Sequence, residues 1–479
     1  MPDAPLPLCV DLDGTLVRTD MLHETTLQLL KASPLDLARL PGWLKQGKAS
    51  LKHRIAQRLS LDVAHLPYRA EVLALIDEAR AHGRPVVLAT AAAPQIAQAV
   101  ADHLGVFDQV ISSDDRTNLS AHHKAERLVA AFGEGGFDYV GNGRADLPVW
   151  RKARCAIVVS RSARLHARAV EQGRTVQRVS DPDAGLGPWL RCLRPHQWLK
   201  NLLVFLPMIT AQKIGDPAAL GAALLGFVAF SLAASFGYLV NDLLDLGADR
   251  RHVRKRKRPF AAGELPIVGG VALALALLAG ALAIAATLPA LFAPVLIVYL
   301  VLTLAYSLRL KRQVVVDVIL LAGLYTLRII AGAVATAIVP SFWLLAFSMF
   351  IFLSLALVKR YSELQLATDQ KAILAGRGYM SADLPVLMAL GTGSGLMAVM
   401  VLALYIDSPT VGARYGEPVW MWLVPPVMLY WVTRLWMKTH RGEVHDDPVV
   451  FAARDRQSLI VALILCLVFA AGVGGWRFW

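Results

Sequence analysis

Charge is scarce in this chain: of 479 residues only 18% are Asp, Glu, Lys or Arg, against 56% hydrophobic. Mean hydropathy is +0.49. Such a balance excludes an ordinary soluble enzyme and makes a membrane protein the default. Cysteine is scarce too. Cys9, Cys155, Cys192 and Cys466 stand alone, with no CxxC pair and no histidine at ligand spacing, which argues against a disulfide framework and a zinc site. The N-terminus, "MPDAPLPLCVDLDGTL", lacks a basic segment followed by an apolar one. No secretory signal is therefore expected, and the residues ahead of the first span should lie in the cytoplasm.

What charge there is sits unevenly. Residues 1–190 are mixed and charged, whereas 198–479 carry long apolar runs between short charged loops. The expected division is a soluble domain over 1–175, a linker over 176–197 containing "DPDAGLGP", and a membrane domain over 198–479. Nine windows approach the ~20 apolar residues a bilayer requires: 198–215, 219–241, 267–288, 290–308, 315–337, 341–358, 384–406, 419–438 and 458–476. With a cytoplasmic start, the loops after spans two, four, six and eight are cytoplasmic. These hold the basic residues, from Arg250, Arg251 and 254–258 through Arg309, Lys311, Arg312, Lys359, Arg360, Lys371 and Arg377 to Lys438, Arg441, Arg454 and Arg456. The opposite loops hold essentially Arg414. This is the positive-inside pattern of an inner membrane protein with its C-terminus on the far side. It accounts for most of the net charge of +13.

It does not account for carboxylates at the same face. Where the second span ends, in "NDLLDLGADRRHVRKRKRP", Asn241, Asp245 and Asp249 are spaced four apart and Asp242 is three before Asp245. On a helix they form one stripe. Carboxylates crowded beside hydrocarbon repel unless neutralised, and Mg²⁺ suits hard oxygens that share it with substrate phosphates. The basic run from Arg250 to Arg258 would hold the remaining phosphate oxygens.

This stretch resembles the first motif of the UbiA superfamily of intramembrane prenyltransferases. The resemblance covers about 190–479 and implies an all-α bundle of about nine spans with a central cavity, binding a pyrophosphate through Mg²⁺. The usual second aspartate motif after span six is missing, "LVKRYSEL" standing there instead. In "YSLRLKRQVVVDVILLAGLYTLRIIAGA", Asp317 and Arg328 lie eleven apart, about three turns, and share a face. They read as an acid-base pair lining the cavity, or as a structural link.

"RPHQWLKN" with Lys200 and Asn201, then Tyr306, Lys311, Asp317, Tyr325, Arg328, Lys359, Arg360 and Glu363, and finally "DDPVVFAARDRQS", are similar to the branch of decaprenylphosphoryl-ribose 5-phosphate synthases. That branch implies phosphoribosyl pyrophosphate as the donor and a polyprenyl phosphate as the acceptor. The cations agree, since a 5-phosphate, a pyrophosphate and a lipid phosphate must be held together. Asp242, Asp245 and Asp249 would hold Mg²⁺ on the leaving pyrophosphate, and the anionic lipid phosphate needs no general base.

The soluble domain opens on "LCVDLDGTLVRTD", an apolar strand running into Asp11 and Asp13 and a glycine turn. A carboxylate nucleophile beside a carboxylic acid over a metal suits phosphoryl transfer. The stretch resembles the first motif of the haloacid dehalogenase superfamily. "VVLATAA" supplies Thr90, "SAHHKAERL" Lys124, and "FDYVGNGRADLPVW" Asn142 and Asp146, with asparagine where aspartate is usual. The resemblance implies a doubly wound α/β fold with a helical cap over about 20–80. Asp11 would be the nucleophile, Asp13 the acid-base group, Thr90 and Lys124 phosphate ligands, and Asn142 and Asp146 neighbours of Mg²⁺. A tethered phosphatase could then remove the 5-phosphate from the transferase product at high effective concentration. The alternatives are transfer of a prenyl group to an aromatic acceptor, and a non-catalytic lipid carrier or scaffold. Nothing points to a nucleic acid.

Overall fold

The computed structural model describes residues 5–115, 117–171, 175–179, 185–369, 378–409, 411, 415–444 and 447–474. Lys371, Arg377, Arg414, Asp446 and residues 181–184 of the expected linker lie outside them. The chain forms two compact units: Met1–Leu193 with Leu239–Ala274, and Arg194–Tyr238 with Leu275–Trp479.

In the first unit, short β-rich runs form six strands: β1 Leu8–Val10, β2 Val86–Ala89, β3 Gln109–Ile111, β4 Asp138–Gly141, β5 Cys155–Val159 and β6 Thr175–Val179. All pair in parallel, in the order β3-β2-β1-β4-β5-β6. Parallel strands need crossover helices, which cover both faces and make nearly every strand position apolar. Side chains alternate accordingly. Leu8, Val10, Val86, Leu88, Val140 and Ile157 pack on one face, and Cys9, Val87, Ala89, Tyr139, Ala156 and Val158 on the other. Between β1 and β2 a helical cap intervenes. It includes α1 (Met21–Ala32), started by the Asp20 carboxylate accepting from Leu22 and His23 N–H, and the helix Lys48–Ala56. Leu29, Trp43 and Ile55 form its own small core. The fold is the expected doubly wound sheet with a helical cap.

The second unit is helical. Among the described residues six helices are long and apolar enough to cross a membrane: Pro217–Leu244, Ile267–Ala285, Val316–Ala335, Phe342–Leu366, Ser381–Ile406 and Arg456–Gly474. The other three expected spans are shorter, for visible reasons. The first is a 3-10 helix, Pro195–Phe205, followed by Leu206–Thr210, because Pro207 has no N–H to continue a ladder. Phe292–Leu308 has 17 residues. Val424–His440 carries prolines 425 and 426 in its first turn, so the residues before it form the 3-10 segment Pro418–Leu423. Close packing of these helices depends on glycine. A Cβ on Gly332 would fall 1.9 Å from Val204 O, and one on Gly391 2.0 Å from the Trp436 ring.

Candidate active sites

The strand order reverses between β1 and β4, where loops diverge to opposite faces and leave a crevice at the carboxyl edge. Asp11 follows β1 into that crevice. It is 6% exposed, and its Oδ1 accepts from Lys124 Nζ at 2.7 Å. Lys124 also donates to the Tyr139 hydroxyl at 2.9 Å, which donates in turn to Asp146 Oδ1 at 2.9 Å. Asp146 Oδ2 accepts the N–H groups of Asn142 and Gly143, both at 2.9 Å, and so shapes the loop after β4. Thr90 Oγ1, at the end of β2, accepts from Ala92 N–H at 3.0 Å. Gly14 turns the chain at φ +72°, where an added Cβ would lie 2.2 Å from Asn142 Nδ2.

Thr15 Oγ1 lies 3.4 Å from Asp11 Oδ2 and 3.2 Å from Asn142 Oδ1. Two acceptor oxygens from different loops thus face one point, an arrangement that fits a Mg²⁺ completed by water and phosphate oxygens. Asp13 Oδ1 accepts from Met21 N–H at 2.7 Å. Burial pushes the Asp11 carboxyl up to about 6 against the pull of Lys124. Burial, then the charges of Asp20 and Asp11, push Asp13 up to about 7. An Asp11 held by the Lys124 cation beside an Asp13 whose strongest charged neighbours are carboxylates suits an ionised nucleophile beside a proton donor.

Two residues of this crevice escaped the motif reading. Tyr139 lies inside a strand and reads as core; its hydroxyl links Lys124 to Asp146. Lys52, on a cap helix with no motif, donates to Ala91 O at 2.7 Å and Asn118 Oδ1 at 3.3 Å. Burial lowers its pKa against the opposing charges of Asp13 and Asp20.

The aspartate stripe also lies in the first unit. Asp242 belongs to the last turn of Pro217–Leu244, and Asp245 is the single residue between that helix and Leu246–Arg251. Asp245 N–H still bonds Asn241 O at 2.9 Å and Asp249 N–H bonds Asp245 O at 2.8 Å, so the stripe is kept through the break. Arg258 Nη1 donates to Asp242 Oδ1 at 3.0 Å and to Asp249 Oδ2 at 2.6 Å. Both carboxylates are buried and meet at one cation. Burial raises the Asp249 carboxyl against the pull of Arg258. Two carboxylates converging in this way fit Mg²⁺, which usually takes one or two from protein and the rest from water and phosphate. Asp245 pairs instead with Lys31 at 2.5 Å, and Arg250 with Glu24. Among the described residues no ready cluster of three or more Asp, Glu, His or Cys is assembled.

In the second unit a knot of cations surrounds one carboxylate. Asp447, capping the helix Pro448–Arg454, pairs with Lys200 and lies 3.5 Å from Lys359 Nζ. The Tyr325 hydroxyl donates to it at 3.3 Å, and Lys200 sits over the Tyr325 ring at 5.7 Å. Arg328 donates to Asn201 Oδ1 at 2.8 Å and the Tyr299 hydroxyl at 3.0 Å, and Asn201 to Ser231 Oγ at 3.0 Å. Tyr299 had not been singled out from the sequence, being an isolated polar residue in an apolar stretch; Asp447 falls in the quoted "DDPVVFAARDRQS" but had been given no role there. An apolar cavity of about 480 Å³, lined by Leu203, Phe347, Phe352, Trp431 and Leu465, has Lys200 at its wall.

Asp317 and Arg328 do not pair with each other. Asp317 meets Arg360 at 2.6 Å, both fully buried, and accepts from the Tyr379 hydroxyl at 2.6 Å. Glu363 also pairs with Arg360, against which Tyr306 lies. Lys311 falls in the 3-10 turn Leu310–Arg312.

Residues 202–454 match the UbiA prenyltransferase family. The chain belongs to that family. Residues 8–151 match the haloacid dehalogenase-like hydrolases, in agreement with the α/β fold of the N-terminal domain. A Sinorhizobium fredii relative, "Uncharacterized protein y4nM", is 39% identical over 98% of this chain and 91% of its own. The nodulation protein NoeC of Azorhizobium caulinodans is 38% identical over 58% of this chain and 91% of its own. The decaprenyl-phosphate phosphoribosyltransferase of Mycobacterium tuberculosis is 42% identical over 40% of this chain and 64% of its own. The protein is thus a multi-pass UbiA-type membrane enzyme carrying a hydrolase-like domain.

Proposed function

We propose that the protein transfers phosphoribosyl from phosphoribosyl pyrophosphate to a polyprenyl phosphate, and that its N-terminal domain removes the 5-phosphate from the product. What carries the reading is the cation set in a family whose members hold a pyrophosphate. Lys200, Lys359 and Arg328 bring three positive charges to a neighbourhood where Asp447 supplies one negative charge. An excess of that size suits more than one phosphate. The apolar cavity with Lys200 at its wall suits a lipid whose single polar end is anionic. The likeness to a decaprenyl-phosphate phosphoribosyltransferase agrees in chemistry.

In this reading Asp242, Asp245 and Asp249 would hold a Mg²⁺, Asp245 otherwise being paired with Lys31; the ion would supply neutralisation of the departing pyrophosphate. Lys200 and Lys359 bind phosphate oxygens. Arg328 and Tyr325 orient that group, and the Asp317–Arg360 pair keeps its helices in register. The lipid phosphate oxygen forms a bond to the anomeric carbon as the bond to pyrophosphate breaks. In the N-terminal domain Asp11 takes the phosphoryl group, Asp13 protonates the leaving hydroxyl, and Thr90 and Lys124 bind the phosphoryl oxygens. Asn142 and Asp146 complete the metal's surroundings. The domain limits proposed are 1–175 and 198–479, in an inner membrane with both sites cytoplasmic.

The test uses the purified full-length protein in detergent with Mg²⁺, a polyprenyl phosphate and ribose-labelled phosphoribosyl pyrophosphate. Label should enter the organic phase. No lipid label, with prenylation of an aromatic acid from a prenyl pyrophosphate instead, would overturn the reading.

A further inference from the structure

Helix α1 carries Glu24, Gln28 and Lys31 at positions i, i+4 and i+7, which place them on one face. That face meets residues 245–250 with opposite charges matched. Glu24, without exposed surface, accepts from Arg250 Nη1 at 2.5 Å and Nη2 at 3.1 Å. Thr19 Oγ1 donates to the same carboxylate at 3.0 Å, and Arg250 Nε donates to Ala261 O at 3.0 Å. At the other end Lys31 Nζ reaches Asp245 Oδ1 at 2.5 Å. Between them Gly247 faces Gln28, whose Nε2 would lie 4.0 Å from a Cβ built there.

The partners of Glu24 and Lys31 here, Arg250 and Asp245, are not among the crevice residues Asp11, Asp13, Thr90, Lys124 and Asp146; Thr19 also joins the crevice turn, its carbonyl accepting from Gly14 N–H at 3.1 Å. The Glu24 and Lys31 contacts serve the aspartate stripe. A buried bidentate carboxylate-guanidinium pair is directional and costly to break, so Arg250 and the turn it belongs to are fixed by the N-terminal domain. Lys31 is a monovalent cation on an oxygen that a divalent cation would also seek.

We propose that α1 of the N-terminal domain is part of the cation site of the transferase: Glu24, through Arg250, positions residues 245–250, and Lys31 neutralises Asp245 until a divalent cation displaces it. Glu24 is a positioning residue and Lys31 a built-in competitor. The inference rests on the reading of Asp242, Asp245 and Asp249 as cation ligands. It makes the metal affinity of one domain a property of the other, so the two activities are joined through a shared surface as well as a shared chain.

The test is a Mn²⁺ titration of the full-length protein in detergent, read by the electron paramagnetic resonance of the free ion, in an Asp11→Asn/Asp13→Asn background that silences the phosphatase site. Lys31→Met should tighten binding about threefold, as expected for removal of a part-exposed ion-pair partner. Glu24→Gln should weaken it about tenfold, the usual size of an outer-shell effect on metal affinity. Because that variant strands a buried guanidinium, Glu24→Gln/Arg250→Met is titrated beside it. The double variant removes both charges and should show the same weakening with an undiminished melting temperature. Unchanged affinity in Lys31→Met and in the double variant would overturn the proposal. Asp242→Asn separates the two layers. If it abolishes binding while Lys31→Met and the double variant change nothing, the coupling fails and the cation site stands; if it leaves binding intact, both fail.

Discussion

A single guanidinium nitrogen shared by Asp242 and Asp249 says what those carboxylates need: a positive charge between them. Arg258 is half-buried and supplies it without metal; a Mg²⁺ would take the same oxygens and turn Arg258 toward phosphate. Asp242→Asn should therefore cut label transfer to lipid about a hundredfold or more while leaving phosphatase activity on a soluble sugar phosphate intact, both measured on purified protein. Asp13 makes a second prediction at this scale. Its folded pKa of about 7 lies above the ordinary carboxylate value, so the folded state binds more protons and loses stability as pH rises from about 4 through about 7. With a chelator present, Asp13→Asn should melt higher than wild type at pH 8 and no higher at pH 4. Equal melting at both would contradict the assigned burial. Asp11, Thr90, Asn142 and Asp146 were legible because each follows a strand with a recognisable local pattern, whereas Tyr139 inside a strand and Lys52 on a cap helix were not. The partners of Asp317 and Arg250 were not. Arg360 and Glu24 reach them from distant segments, and a spacing of eleven along one helix could only suggest a partner on that helix.

Elements were legible where one period dominated. Apolar runs marked β1, β2 and the spans, but the order β3-β2-β1-β4-β5-β6 depends on pairings between segments up to 130 residues apart, as Leu8 with Asp138, and carries no local sign. The first span shows the opposite limit. Its composition is apolar enough, yet Pro207 divides it into a 3-10 stretch and one short helical turn. That stretch packs so closely against Val316–Ala335 that Gly332 touches the Val204 carbonyl. Gly332→Val should destabilise the protein by about 3 kcal/mol, the upper range for overpacking, seen as a lower melting temperature in detergent. A variant as stable as wild type would show that the helices can separate there without loss.

Across the whole molecule, the fusion of a hydrolase-like domain to a UbiA-type bundle extends to a relative matched over 98% of this chain, so the two parts belong together beyond this one sequence. Their union makes chemical sense if the product of the bundle is the substrate of the N-terminal domain. The most direct measurement supplies the full-length protein with Mg²⁺, a polyprenyl phosphate and phosphoribosyl pyrophosphate labelled with tritium in the ribose and radioactive phosphorus in the 5-phosphate. The tritium-to-phosphorus ratio is then followed in the extracted lipid. The account predicts lipid-borne tritium whose accompanying phosphorus falls with time in wild type and stays at the input ratio in Asp11→Asn. A constant ratio in both proteins would contradict the proposed partnership, and a lipid without tritium would contradict the transferase itself.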